Sequence, residues 1–115
     1  MYLIFYTDRM PKYSSGCANG PIIRIRPAYR DDRGLLEHEK VHVKQWWRTF
    51  GFHSLLYLCS KKYRLAAEVE AYRVQLRYNP ENILKYAGWL SADEPEGYGC
   101  QNICTREMAI ELLRM

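Results

Sequence analysis

Long apolar stretches are missing from this chain. Runs such as Leu55–Cys59 are far too short to cross a bilayer, and with a mean hydropathy of −0.44 no membrane partner is expected. Met1–Asp8 has no basic segment ahead of its apolar residues and no small-residue cleavage site. It reads as a strand rather than a signal peptide, which leads to the expectation of a soluble, cytoplasmic protein. Cysteine is scarce: Cys17, Cys59, Cys100 and Cys104 are too few and too scattered for a disulfide framework. Cys100 and Cys104 lack the two-residue spacing of a zinc knuckle and have no second pair, so reduced thiols are the simpler reading. Internal repeats, linkers and low-complexity segments are also absent. The 115 residues, 48% hydrophobic, suffice for a single domain, 1–115, with its own core.

Strong charge of one sign is lacking too. Seventeen basic and 13 acidic residues give a net charge of +4. Arg24, Arg26, Arg30 and Arg33 form one basic cluster, and Lys61, Lys62 and Arg64 another. This balance favours acidic partners but is too mild to establish nucleic-acid binding. Ten tyrosines and three tryptophans keep a nucleic-acid surface as a rival, though no recognised module supports it.

In chain order, Tyr2–Tyr6 reads as a strand and Met10–Gly20, with Pro11, Ser14, Ser15 and Gly16, as a loop. Residues 21–29 alternate like a second strand, and Pro21 and Pro27 at its ends suit an edge position. Asp31-Asp32 offers an N-cap for a helix from about Arg33 to Phe50, with Gly51 as its stop. Phe52–Ser60 is a short apolar helix in which His53 falls outside any motif spacing, as a structural or exposed residue. Lys61–Tyr78 forms a second long helix, Glu81–Leu90 a third, and Arg106–Arg114 a last one capped by Thr105. Ser91–Gly99 is an acidic loop containing Tyr98. The fold class expected is α+β: short N-terminal antiparallel strands packed on a mostly helical body.

What the chain does have is His38-Glu39-x-x-His42, inside the first long helix. Two histidines four apart lie one above the other on a helical face, so both rings can reach one metal ion. Glu39 sits beside them at an angle that suits contact with a water better than a third ligand position. A short motif can arise by chance on a solvated helix. Against that, two histidines and a glutamate on a partly apolar stripe with Leu35 and Trp46 would be costly to bury without a metal. A zinc hydrolase needs three protein ligands and an open position. Glu68 and Glu70 on the second long helix are the candidates, on nearly opposite sides of it, so only one can face the ion.

His-Glu-x-x-His followed by Glu68-Val-Glu-Ala71 on a second helix resembles the gluzincin metallopeptidases, in particular the small single-domain minigluzincins and short bacterial and phage proteins of that type. The resemblance covers about Pro21 to Tyr78. It implies His38, His42 and Glu68 as zinc ligands, Glu39 as general base, and hydrolysis of peptide bonds by a zinc-activated water. Ala71, the small residue three after the ligand in that pattern, favours Glu68 over Glu70. Where such proteins often carry an aspartate that orients a ligand histidine, this chain has Tyr72. Tyr72 could take over that hydrogen bond, donate to the oxyanion, or simply pack. Tyr72, Tyr98 and Arg73 all remain candidates for oxyanion stabilisation. The edge strand Ile22–Arg26 would bind an extended peptide by strand addition, with its arginines favouring acidic side chains. Two alternatives stand beside the peptidase: a zinc-stabilised accessory protein without useful turnover, and a basic nucleic-acid binder.

Overall fold

A computed structural model describes residues 1–92 and 97–115. Its three strands are β1 (Leu3–Tyr6), β2 (Gly16–Asn19) and β3 (Ile22–Ile25), in the order β1-β3-β2. β3 runs parallel to β1 and antiparallel to β2, so the sheet is mixed rather than antiparallel. The α+β class stands, but the strand expected at an edge is the central one. Its flanking prolines do not interrupt a ladder: Pro21 sits in the turn from β2 and Pro27 opens a 3-10 turn, both outside β3. β2 occupies part of what reads as a loop. Gly20, with φ of 60°, supplies the left-handed residue that folds β2 back onto β3.

Arg24 and Arg26 of this region face the loop before β2. Arg24 donates to the Arg9 carbonyl at 2.6 Å, and Arg26 to the carbonyls of Ser14 and Pro11 at 2.6 and 2.9 Å. They tether residues 8–15 and are not free to read acidic substrate side chains. Ile23 and Ile25 point the other way, fully buried against Leu35 and Val43.

Among the described residues five α-helices follow: α1 (Arg33–Arg48), α2 (His53–Cys59), α3 (Lys61–Gln75), α4 (Ile83–Leu90) and α5 (Arg106–Arg114). Asp32 caps α1 by accepting from the Leu35 amide at 3.0 Å. Ser60 and Thr105 cap α3 and α5 in the same way. α1 lies between the sheet and α3. Ala67 and Ala71, both buried on α3, leave room for α1 to approach so closely that Gln45 donates to the Ala67 carbonyl at 3.0 Å. A second core, built by Val69, Tyr72, Tyr86, Leu90, Cys104 and Leu113, joins α3 to α4 and α5. Cys100 and Cys104 are buried free thiols in and beside this core. Among the described residues no helix is long and apolar enough to cross a membrane. Asp93–Glu96 of the acidic loop lie outside the described residues.

Ile23→Ala should lower unfolding free energy by about 2–5 kcal/mol in urea titrations, since the side chain fills a closed layer between sheet and α1. Leu84→Ala, on a residue 53% exposed, should stay within about 0.5 kcal/mol of the parent.

Candidate metal centre

His38 and His42 leave α1 on the side facing α3, one turn apart. Glu68 meets them from α3. His38 Nε2, His42 Nε2 and Glu68 Oε1 stand at the corners of a triangle whose three sides are each 3.2 Å. All three residues are buried, and together they form a group able to hold a metal ion. Glu70 points elsewhere, accepting from Gln45 and Arg48 at 2.8 Å each.

The tautomer of His42 follows from its neighbours. Gln45 Nε2 donates to the Ala67 carbonyl and to Glu70, both pure acceptors. Its oxygen therefore faces His42 Nδ1 at 2.8 Å, and Nδ1 must be the donor. That leaves the Nε2 lone pair of the neutral ring directed into the triangle. Burial opposes charge on His42, yet the Glu68 carboxylate outweighs it and pushes the pKa up to about 10. Burial also opposes charge on Glu68, and His42 and His38 overcome it, holding the carboxyl well below its usual range.

Tyr57 on α2 donates to Glu68 Oε2 at 2.5 Å, which leaves Oε1 to the imidazoles. His53, one turn earlier, is buried rather than exposed. Its Nδ1 meets the Tyr63 hydroxyl at 2.7 Å, and its ring centroid lies 5.8 Å from that of His42. Neither residue stands out among the motifs of the sequence. The signal available was their own four-residue spacing, which sets both on one face of a short helix.

Glu39 is buried beside β2, where a Cβ on Gly16 would sit 3.5 Å from its Oε2. Burial raises its pKa, while His38 and His42 draw it down. Tyr72 packs edge-on against His38 with centroids 4.4 Å apart, and its hydroxyl bonds to that of Tyr98. It does not reach His38 Nδ1, which has no hydrogen-bond partner among the described residues. Burial pushes both phenols well above their usual pKa, so both are neutral donors. Arg73 is directed away, donating to the Leu112 carbonyl at 2.8 Å. The donor triangle lies where two clefts meet. One, of about 330 Å³, runs between β2 and α2 past His53 and Tyr57. The other, of about 540 Å³, is walled by Tyr72, Tyr86 and Trp89. Gly16, His38, Glu39 and Tyr98 line both.

No protein-family model, curated protein or solved structure matches this chain.

A metal taken up by these donors must displace the His42 proton, so affinity should rise by up to about tenfold per pH unit and level off near 10. Calorimetry of the chelator-stripped protein with Zn²⁺ in buffers of different ionisation enthalpy should record release of about one proton at pH 7. Gln45→Leu, which removes the acceptor from His42 Nδ1, should weaken Zn²⁺ binding roughly 10–100-fold.

Proposed function

We propose that the chain is a zinc-dependent peptidase of the small gluzincin type, with His38, His42 and Glu68 as the zinc ligands. The observation that carries this reading is the donor triangle closing beside Glu39 inside an open cleft. Donors about 2.0–2.1 Å from a tetrahedral zinc stand roughly 3.3–3.4 Å apart, close to the 3.2 Å found for all three pairs. Two imidazoles and one carboxylate are also a donor set that zinc hydrolases use. Zinc in such a site lowers the pKa of a water to near 7 and polarises a carbonyl.

The remaining work falls to this chain's own side chains. Glu39 takes a proton from the attacking water and returns it to the leaving amine, and its burial helps by making it a better base than a solvated glutamate. Tyr98, bonded to Tyr72 behind it and lining both clefts, is a neutral donor suited to the developing oxyanion. The extended substrate pairs with β2 rather than β3, because β2 carries the free edge along the cleft. The free thiols of Cys17, Cys59, Cys100 and Cys104 suit a reducing compartment such as the cytoplasm.

One observation favours a second reading, a zinc-stabilised accessory protein without useful turnover. His38 Nδ1 has no partner among the described residues, so one ligand lacks the outer hydrogen bond that normally tunes such sites.

Mass-spectrometric profiling of a peptide library separates the two. The peptidase should cut it with about one zinc per chain bound. Glu39→Gln should keep the zinc and lower the rate by roughly 100-fold or more. Zinc-loaded wild-type protein that cuts nothing would leave the accessory reading.

A further inference from the structure

The segment from Lys40 to Ala67 contains six basic residues and no acidic one. Three of the six are occupied. Lys40 pairs with Glu37 at 3.0 Å, Arg48 with Glu70 at 2.8 Å, and Arg64 donates to the carbonyls of Tyr57, Leu58 and Tyr98. Lys44, Lys61 and Lys62 are exposed, and among the described residues no carboxylate pairs with them.

Next in the chain to Lys61 and Lys62, the α1–α2 turn and α2 expose apolar side chains. Phe50 is 90% exposed, Leu58 74%, Phe52 60% and Leu55 58%. α2 turns His53 and Tyr57 toward the cleft and Leu55 and Cys59 outward, while Leu58, which also lines the cleft, sits at its exposed rim and Phe52 and Leu56 at the flanks. Singly exposed apolar residues are ordinary, whereas a continuous group on one turn and one helix face marks an interaction surface.

Phe50 narrows the question. Its φ of 53° lies in the left-handed region, natural for glycine or asparagine and costly for a bulky side chain. Burying the ring could offset that cost, yet the ring stands in water. The left-handed backbone has a use inside the chain, closing the C-terminus of α1 through Phe50 N–H to the Trp47 carbonyl at 3.1 Å and Gly51 N–H to the Trp46 carbonyl at 2.9 Å, but the exposed ring adds nothing to that closure.

Although hydropathy alone leads to the expectation of no membrane partner, we propose that the α1–α2 turn and the outer face of α2 dock on an anionic lipid bilayer. Phe50, Phe52, Leu55 and Leu58 enter the headgroup region, and Lys61 and Lys62 meet the lipid phosphates. Exposed aromatic and leucine side chains next to lysines and no spanning helix among the described residues are the marks of a surface that lies on a membrane. A bilayer with anionic headgroups matches the apolar side chains and Lys61 and Lys62 at once, and a protein partner would need an apolar centre with an acidic rim to do the same. This docking is independent of the peptidase reading, since none of its residues is a proposed ligand or base.

Sedimentation of the full chain with vesicles tests it. Binding to mixed phosphatidylcholine–phosphatidylglycerol vesicles should exceed binding to phosphatidylcholine alone and weaken as salt rises. Leu55→Ser with Leu58→Ser should lower the partition coefficient roughly tenfold or more, and Lys61→Glu with Lys62→Glu should lower it on the anionic vesicles alone. Phe50→Asn gives a readout that misfolding cannot imitate: the melting temperature should rise, because asparagine accepts the left-handed backbone, while vesicle binding falls. No co-sedimentation, or binding unchanged by the serine substitutions, overturns the proposal. So does a concentration-dependent dimer in lipid-free sedimentation velocity that the serine substitutions dissolve, which would assign the face to a second copy of the chain.

Discussion

The amide of Gln45 reaches from α1 into α3, donating to the Ala67 carbonyl and to Glu70 while its oxygen accepts from His42. One side chain thereby sets the separation of two helices, the tautomer of a histidine and the direction of Glu70 away from the cluster. Ala67 and Ala71 make the short separation possible, because neither fills the crossing. At that distance the Glu68 carboxylate lies against the two imidazoles, 3.2 Å from each Nε2. Four ionisable groups, His38, Glu39, His42 and Glu68, are buried together as a result. Removing a charge from water costs roughly several kcal/mol even after the protein relaxes, and a well-packed apolar cluster would hold the helices at lower cost. The group is therefore poorly explained as a stabilising device, and a site is the better account of it.

The phenols around the group divide the labour. Tyr57 fixes one oxygen of Glu68, so that the other is presented to the histidines. Tyr72 stands on the second core, stacked on Tyr86 with centroids 4.6 Å apart, and carries Tyr98 on its hydroxyl. Arg64 holds the Tyr98 backbone from α3 at 2.7 Å, and buried Cys100 anchors the chain two residues later. α4 and α5 supply no donor to the triangle. Their part is to back the aromatic wall of the second cleft.

How much of this was legible depends on the range of the interactions that make it. The first long helix was readable at its start from Asp32 and the histidine spacing from periodicity, whereas its end falls at Arg48, two residues before the expected Phe50, because Phe50 itself takes the left-handed turn ahead of Gly51. Glu68 against Glu70 was not decidable from spacing, because the answer lies in where α1 crosses, a distance set by Gln45 and two alanines. β2 was invisible: Gly16-Cys-Ala-Asn19 has no β-branched residue and becomes a strand only because β3 offers it a ladder. β3 carried the opposite error. Its prolines spoke for an edge, but they lie beyond the paired residues, and its fully buried isoleucines are what put it in the middle. The tethering of residues 8–15 by Arg24 and Arg26 spans up to 18 positions and has no periodic signature at all.

α2 joins the two surfaces of interest. A helix of seven residues has little stability of its own, and only His53 of it is buried. What fixes it is polar: Tyr57 to Glu68, His53 to Tyr63, and Arg64 to its last carbonyls. The cleft wall is thus held by a few bonds to α3 rather than by a core. Leu55 lies on the reverse of the same turns and Leu58 at the rim of the cleft, so contact on the outer face bears on the element that positions Tyr57. On the docking proposed here, a bilayer would supply the apolar burial that α2 lacks and hold the wall against Glu68. A cleft completed in that way would be best ordered where lipid is present, and the exposed Phe50 ring would be buried at the point where α1 hands the chain to α2.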